Sequence, residues 1–172
     1  MEKIIVYYEN NGYPFAAVKL DSFVVKENEL SAKLLINRNI FVKLDSLVTI
    51  GTAKINPKFL SRYLSIKNGM PYNEEAFRLV SKKLKQLPFV TEKTTPVLKL
   101  TDKQNKLYLF LEKKNASQFD GIVGILPNDK GKTVFTGDLK IKLVNTIFKS
   151  GETFDINWRR LQTQTQDLKA NV

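Results

Sequence analysis

Late in the chain, hydrophobic and polar residues alternate one by one. Leu139, Ile141 and Leu143 interleave with Asp138, Lys140 and Lys142, and Phe154, Ile156 and Trp158 interleave with Asp155, Asn157 and Arg159. A period of two sends each class of side chain to its own sheet face, so both runs predict strands with one apolar face. Upstream, Phe119-Asp120-Gly121-Ile122-Val123-Gly124-Ile125 is followed by a polar tip, and Lys149-Ser150-Gly151-Glu152 separates the two alternating runs. Gly, Asn, Asp and Ser at the breaks are turn formers. The stretch Gln118 to Arg160 therefore predicts an antiparallel meander.

The earlier residues change period. Residues 2–10 predict a helix with Ile4, Ile5 and Tyr8 on one face, stopped by Asn10-Asn11-Gly12. Extended runs follow from Ala17 to Val25 and from Leu30 to Asn37, joined by a turn at Lys26-Glu27-Asn28-Glu29. Phe41 to Ile50 predicts a further strand, ended by Gly51. Asn56-Pro57 then predicts a helix start, with Asn as cap and Pro in the first turn. Phe59, Leu60, Tyr63 and Leu64 form its apolar stripe, and Lys67-Asn68-Gly69 breaks it. Asn73 predicts a second cap, followed by a stripe of Ala76, Phe77, Val80, Leu84 and Leu87 at spacings of three and four. Glu74 and Glu75 stand near the positive end of this helix. Beyond Pro88, a strand is expected near Val97 to Leu100, a turn at Asp102-Lys103-Gln104-Asn105, and a strand from Leu107 to Glu112.

Residues 41–114 thus read β-α-α-β-β, and the opening 36 residues read as its last three elements. An offset of 74 lays Pro14 on Pro88, Phe15 on Phe89, Val24 on Leu98 and Leu35 on Leu109. Such self-similarity indicates two copies of one small module, the first truncated. Lys113 to Ser117 is a polar linker before the meander. The domain reading is therefore 1–38, 39–114 and 115–172.

Composition narrows the chemistry. The 172 residues contain no cysteine and no histidine. That excludes disulfide frameworks, Ser/His hydrolases and ordinary zinc sites. The acidic residues are scattered, and no local carboxylate pair stands out. An enzyme is not expected, nor a metal or other cofactor. The net charge of +11 resides mostly in residues 1–114, which contribute +9. Such an excess suits nucleic acid, anionic headgroups or an acidic protein. Only the short apolar run Ile4-Ile5-Val6 lies near Met1, so no signal peptide is read, and no stretch reaches the length of a transmembrane helix. The start reads as the middle of a helix and the end as a strand just beginning, so the chain is expected to be a piece of a longer one.

The order of these elements resembles the BamA/TamA family of outer-membrane proteins. The residues that carry the resemblance are Gly12-Tyr13-Pro14-Phe15-Ala16, Ile50-Gly51, Asn56 to Leu64, Gly69-Met70-Pro71-Tyr72-Asn73 and Leu87-Pro88-Phe89. In the meander they are Phe119 to Gly124, Thr136-Gly137-Asp138-Leu139, and Gly151-Glu152 through Asn157-Trp158-Arg159-Arg160. The resemblance implies an α+β chain: a partial POTRA module (α-β-β), one complete POTRA (β-α-α-β-β), and the first strands of an incomplete membrane β-barrel. It implies a non-enzymatic assembly, insertion or translocation factor of the bacterial outer membrane, with its POTRA modules in the periplasm. Implied partners are unfolded outer-membrane protein clients, outer-membrane lipid and accessory assembly proteins, with no nucleic acid. A full barrel in that family has many more strands than the three or four expected here.

Two surfaces follow as candidate sites. By the family's arrangement, the edge strand for client addition is Val97, Leu98, Lys99, Leu100 and Thr101, with Val18 to Val24 in the first module. The bland alternative is an edge protected by Lys19, Lys93 and Lys99. The second surface is a band of Leu139, Ile141, Leu143, Phe154, Ile156 and Trp158. It faces lipid in a barrel, with Trp158 near an interface, or fills the core of a soluble sandwich. Gly121, Gly124 and Gly137 inside strands mark either curvature or a weak ladder that eases opening. Lys82, Lys83 and Lys85 read as a solvated helix face that could meet anionic headgroups. The rival function is a soluble basic α+β module that binds nucleic acid, with Tyr7, Tyr8 and Tyr72 as stacking candidates, or binds an acidic protein. A third is a scaffold domain without a ligand.

Overall fold

The computed structural model describes residues 1–101, 103–127, 133–162 and 165–172. Asp102 of the expected turn and the tip at 128–132 lie outside the described residues.

The chain begins with helix α1 (Glu2–Glu9), which runs into the hairpin β1 (Ala17–Lys26) and β2 (Glu29–Asn37). A second unit follows: β3 (Ser46–Ile50), α2 (Pro57–Leu64), α3 (Glu74–Lys85), β4 (Val90–Lys99) and β5 (Lys106–Lys113). Its sheet has the order β3-β5-β4, with β3 parallel and β4 antiparallel to β5. The last part is a four-stranded antiparallel sheet in chain order: β6 (Gln118–Pro127), β7 (Thr133–Val144), β8 (Thr153–Gln162) and β9 (Thr165–Asn171). This is a mixed α+β fold with three sheets and few helices.

Both helices of the second unit start as the sequence dictates. The Asn56 side chain accepts from Lys58 N at 2.9 Å and the Asn73 side chain from Ala76 N at 2.7 Å. Caps of this kind each stabilise a helix by about 1 kcal/mol. The core lies where these helices cover the sheet. Leu107, Leu109 and Leu111 alternate along β5 and are fully buried, as are Leu64 of α2 and Val80 of α3. Leu60, Leu84, Leu44 and Ile66 belong to the same cluster, with Leu87, Phe89, Val90 and Val144.

The strand expected from Phe41 is half as long as predicted. Residues 41–45 keep a strand-like alternation, with Val42 and Leu44 buried between exposed neighbours, but they have no ladder partner. Their hydrogen bonds go to loops instead: Val42 N donates to Gly12 O, Tyr72 N to Val42 O, and Leu44 N to Met70 O. Only Lys43 makes an isolated bridge, to Pro71. Period two reports alternating burial, and a buried loop lashed to other loops satisfies it equally well.

The repeat appears in three dimensions with a corrected register. Ala17 faces Asn37 in the first hairpin, and Thr91 faces Glu112 in the second. With Ala17 on Thr91, the offset is 74 on the outgoing strand but 75 on the return. The equivalent of Leu109 is therefore Leu34 rather than Leu35, and that of Leu111 is Ile36. The first hairpin is one residue shorter, and β1 carries an irregularity at Ser22 (φ 53°).

Asn10 joins the two units. Its carbonyl accepts from Asn73 Nδ2 at 3.0 Å and its Oδ1 accepts from Glu75 N at 3.0 Å. Gly12 N donates to Tyr72 O at 2.9 Å. The stop signal of α1 is thus also a docking point for the start of α3.

Candidate functional site

The register of the meander gathers all six residues of the expected apolar band on one face. Leu139 faces Trp158, Ile141 faces Ile156 and Leu143 faces Phe154. The same face continues onto the outer strands, through Phe119 (opposite Ile141), Ile125 (opposite Phe135) and Leu168 (opposite Trp158). The six central residues are half-buried by one another. Phe119, Ile125, Phe135 and Leu168 are 61–72% exposed, so no layer of the described residues covers the face. On β7 and β8, the charged residue on this side is Arg160, which stands opposite Gly137 at the end of the band.

The other face carries matched charges over one half and the apolar Ile122, Leu126, Val134 and Leu161 toward its other end. Asp120 faces Lys140, Lys142 faces Asp155 and Asp138 faces Arg159. Arg159 donates through Nε and Nη2 to Asp138 Oδ2 at 2.9 and 2.6 Å. Alternating signs across neighbouring strands leave no single-sign stripe for a nucleic-acid backbone to follow.

Two glycines allow large side chains to cross between strands. A Cβ on Gly137 would lie 2.4 Å from the Ile122 carbonyl oxygen and 3.3 Å from the Trp158 ring. One on Gly121 would lie 2.5 Å from Leu139 Cδ2. Leu139 and Trp158 rest over backbone that has no side chain of its own. The β6–β7 ladder pairs continuously from Gln118/Lys142 to Pro127/Thr133, through all three strand glycines.

The loop between β7 and β8, residues 145–152, is built around one carboxylate. Glu152 Oε1 accepts from Ile147 N at 2.8 Å and Phe148 N at 3.0 Å, and Oε2 accepts from Ser150 N at 2.9 Å. Asn145 Oδ1 accepts from Gly151 N at 3.0 Å, and Asn145 N donates to Glu152 O at 2.8 Å. The loop is docked on the second unit. Asn56 N donates to Lys149 O at 2.7 Å, and Asn145 Nδ2 donates to Lys54 O at 3.2 Å. Gly151 (φ 76°) lies against the Phe59 ring, where a Cβ would come within 2.8 Å. Val144, just before the loop, belongs to the core cluster of the second unit.

The expected client edge is shorter than predicted at its far end. β4 begins at Val90 and stops at Lys99, so Val97, Leu98 and Lys99 are in the strand, while Leu100 and Thr101 lie past it. Beyond Lys99, Thr101 N turns toward Asn105 Oδ1, which ends the ladder. β4 is an edge strand of its sheet, as expected. It is also irregular, with register shifts on both sides of Thr94 and with Pro96, which has no N–H, before Val97. The usable edge is therefore the short Val97–Lys99 segment. In the first hairpin β1 pairs only with β2, so Val18 to Val24 is also an edge.

The remaining candidates separate. Lys83 donates to Leu64 O and Ser65 Oγ, both at 3.1 Å, and so closes the end of α2 instead of serving as a free solvated charge. Lys82 and Lys85 stay exposed. Tyr72 is buried and its hydroxyl donates to Glu74, whereas Tyr7 is exposed on α1. The three tyrosines share no sheet face. Among the described residues, no helix is long and apolar enough to cross a membrane, which leaves strands untouched as a means of crossing.

The fold has a counterpart among solved structures. The crystal structure of BamA from Haemophilus ducreyi lacking POTRA domains 1–3 superposes over 92% of this chain with a TM-score of 0.58 at 17% identity. The fold is BamA-like. This chain spans 30% of that BamA chain. The crystal structure of Haemophilus influenzae BamA POTRA3-5 matches 66% of this chain and 47% of its own, with a TM-score of 0.42 at 21% identity. No family model matches the sequence, and no curated protein does.

Within the BamA-like fold, the sequence missed the outer part of the apolar face and the docked loop. Phe119 and Ile125 escaped because β6 carries Ile122 and Leu126 on the opposite face, which blurs the alternation. The loop escaped because its logic is one side chain collecting distant N–H groups. Glu152 beside Gly151 was the available signal.

Proposed function

We propose that the chain is part of a non-enzymatic outer-membrane factor for protein assembly, insertion or translocation. In this reading residues 1–38 and 39–114 are a partial and a complete POTRA module in the periplasm, and residues 115–172 are the first strands of a membrane β-barrel. The observation that carries it is the two-faced meander. One side is uncovered and continuously apolar, the other carries cross-strand charge pairs over half its length, and both outer strands await partners. A lipid-facing surface on one side and a wetted lumen on the other call for that division. A sandwich core would need a second layer over Phe119, Ile125, Phe135 and Leu168, and the described residues supply none.

Clients would be unfolded outer-membrane proteins, added as strands to the Val97–Lys99 edge through main-chain hydrogen bonds. Accessory assembly proteins would join through the POTRA surfaces. No cofactor, metal or nucleic acid enters the scheme.

The test is flotation of the purified chain with vesicles of phosphatidylethanolamine and phosphatidylglycerol, beside a DNA mobility-shift titration. Association with vesicles that persists in high salt, without DNA binding, is the expected result. Salt-sensitive submicromolar DNA binding without flotation would overturn the proposal in favour of a soluble basic module. Client addition is tested by a photo-crosslinker at Val97, which should capture an unfolded outer-membrane protein more strongly than one at Val80 in the core.

A further inference from the structure

The loop at 145–152 has a property that docking on the second unit does not require. Of its eight residues, Ile147 and Phe148 alone are classed as exposed, at 60% and 64%. They stand side by side at the tip. A solvent-facing loop tip ordinarily carries polar or small residues, because water satisfies its backbone and apolar side chains gain nothing there.

Much of the backbone of this loop is hydrogen-bonded within the protein. The N–H groups of Ile147, Phe148 and Ser150 go to the Glu152 carboxylate, and that of Gly151 goes to Asn145 Oδ1. The carbonyls of Asn145 and Thr146 accept from Lys149 Nζ, and that of Phe148 accepts from Ser150 Oγ. The Lys149 carbonyl accepts from Asn56 N. A loop that binds these groups within the protein leaves fewer hydrogen bonds unmade when it approaches an apolar medium, although its Thr146 Oγ1 is buried without a partner.

Position supplies the second argument. The Phe148 ring lies 6.4 Å, centroid to centroid, from that of Phe154, the first residue of the apolar band on β8. The tip is therefore continuous with the band Phe154, Ile156, Trp158 and extends it past the end of the strands. Lys54 and Lys58, both exposed, stand two residues either side of Asn56, whose N–H holds the loop at Lys149 O, while the Lys149 ammonium turns back onto the loop carbonyls. Apolar tips with lysines behind them match the boundary between acyl chains and anionic headgroups.

We infer that the β7–β8 loop is an interfacial lipid anchor that inserts Ile147 and Phe148 into the headgroup–acyl boundary and so seats the start of α2 against the membrane surface. This rests on the lipid-facing reading of the meander and adds to it where the sheet meets the surface and which residues hold the second unit there. Because Asn56 N is bonded to Lys149 O, the orientation of α2 is tied to the depth of the loop.

The test uses tryptophan fluorescence in vesicles of phosphatidylethanolamine and phosphatidylglycerol whose acyl chains are brominated near the headgroup. Trp158 is the single tryptophan and reports on the band. The variant Trp158→Phe with Phe148→Trp reports on the loop. The expected result is a blue shift and bromolipid quenching at position 148 at least half that of Trp158. Quenching of Trp158 alone, with position 148 open to an aqueous quencher, would overturn the anchor and leave the membrane reading intact. Quenching at neither position would overturn both. As a second measurement, Ile147→Ser with Phe148→Ser should leave the circular dichroism spectrum unchanged, since both side chains are exposed, and should weaken vesicle partitioning about tenfold. Unchanged partitioning would overturn the anchor.

Discussion

Asn10 Oδ1 accepts a hydrogen bond from Glu75 N at 3.0 Å, across 65 residues of chain. The residue that ends one helix thereby fills an orphan N–H in the first turn of another. Replacing Asn10 with Ala removes that bond and leaves its carbonyl contact to Asn73. The expected loss is about 0.5 to 1 kcal/mol, since the bond is exposed and water can replace it. A shift of the urea midpoint without a change in slope would check it.

The three leucines of β5 predict the largest single-site effects. Leu109 is fully buried among Leu60, Leu84 and their neighbours. Leu109→Ala should destabilise the second unit by about 2 to 5 kcal/mol, from lost transfer energy and the cavity left behind. Tyr108, on the opposite face of the strand and half-buried, should tolerate Tyr108→Phe with less than about 1 kcal/mol. Equilibrium denaturation of both variants separates a core face from a solvent face.

The strand glycines divide by what a methyl group would meet. At Gly137 it would strike the Ile122 carbonyl and the Trp158 ring, whereas at Gly124 its near neighbour is the Thr136 hydroxyl at 3.3 Å. Gly137→Ala should therefore shift Trp158 emission and loosen the sheet, and Gly124→Ala should change little. Equal effects at both sites would show that backbone freedom, not close approach, selects glycine here.

Acid should weaken the start of α3 and the β7–β8 loop. Burial acts to raise the Glu74 pKa, but the hydrogen bonds from Tyr72 and Arg78 and the Arg78 charge outweigh it and hold it below the ordinary 4.5. A lowered folded-state pKa means that the stabilisation is present above the unfolded value and is lost as pH falls through the folded one. Glu152 behaves alike: burial raises it, and N–H donors including those of Ser150, Ile147 and Phe148 lower it further. Stability should fall as pH drops below about 4.5, and Glu74→Gln should flatten part of that loss. Thermal melts across the acid range would measure it.

The isolated chain should self-associate in water. Its meander presents an uncovered apolar face and two unpaired outer strands, both routes to aggregation. Light scattering should show oligomers that detergent disperses. A clean monomer without detergent would contradict the uncovered face.

Much of the fold is legible in the sequence where signals are local. Asn56-Pro57 and Asn73 announced helices that begin where they should, and alternation at 139–143 and 154–158 put the six central residues of the band on one sheet face. What escaped was relational. Residues 41–45 alternate like a strand, yet their bonds go to Gly12 and Met70. Lys83 looked like one of three surface lysines until the end of α2 was placed beside it. The far end of the client edge was lost because Thr101 prefers Asn105 to a ladder. In each case the deciding partner lies far along the chain, and no local period encodes it.

The leading helix and hairpin contribute nothing to the core cluster, whose members begin at Leu44. Leu34 and Ile36, equivalents of two fully buried leucines, are 40% and 43% exposed. The order of residues 1–38 is therefore borrowed, through Asn10 and Gly12, from the neighbour that owns a core. Melting should run one way only: the front segment can fray while its host stands, but it cannot outlast the host.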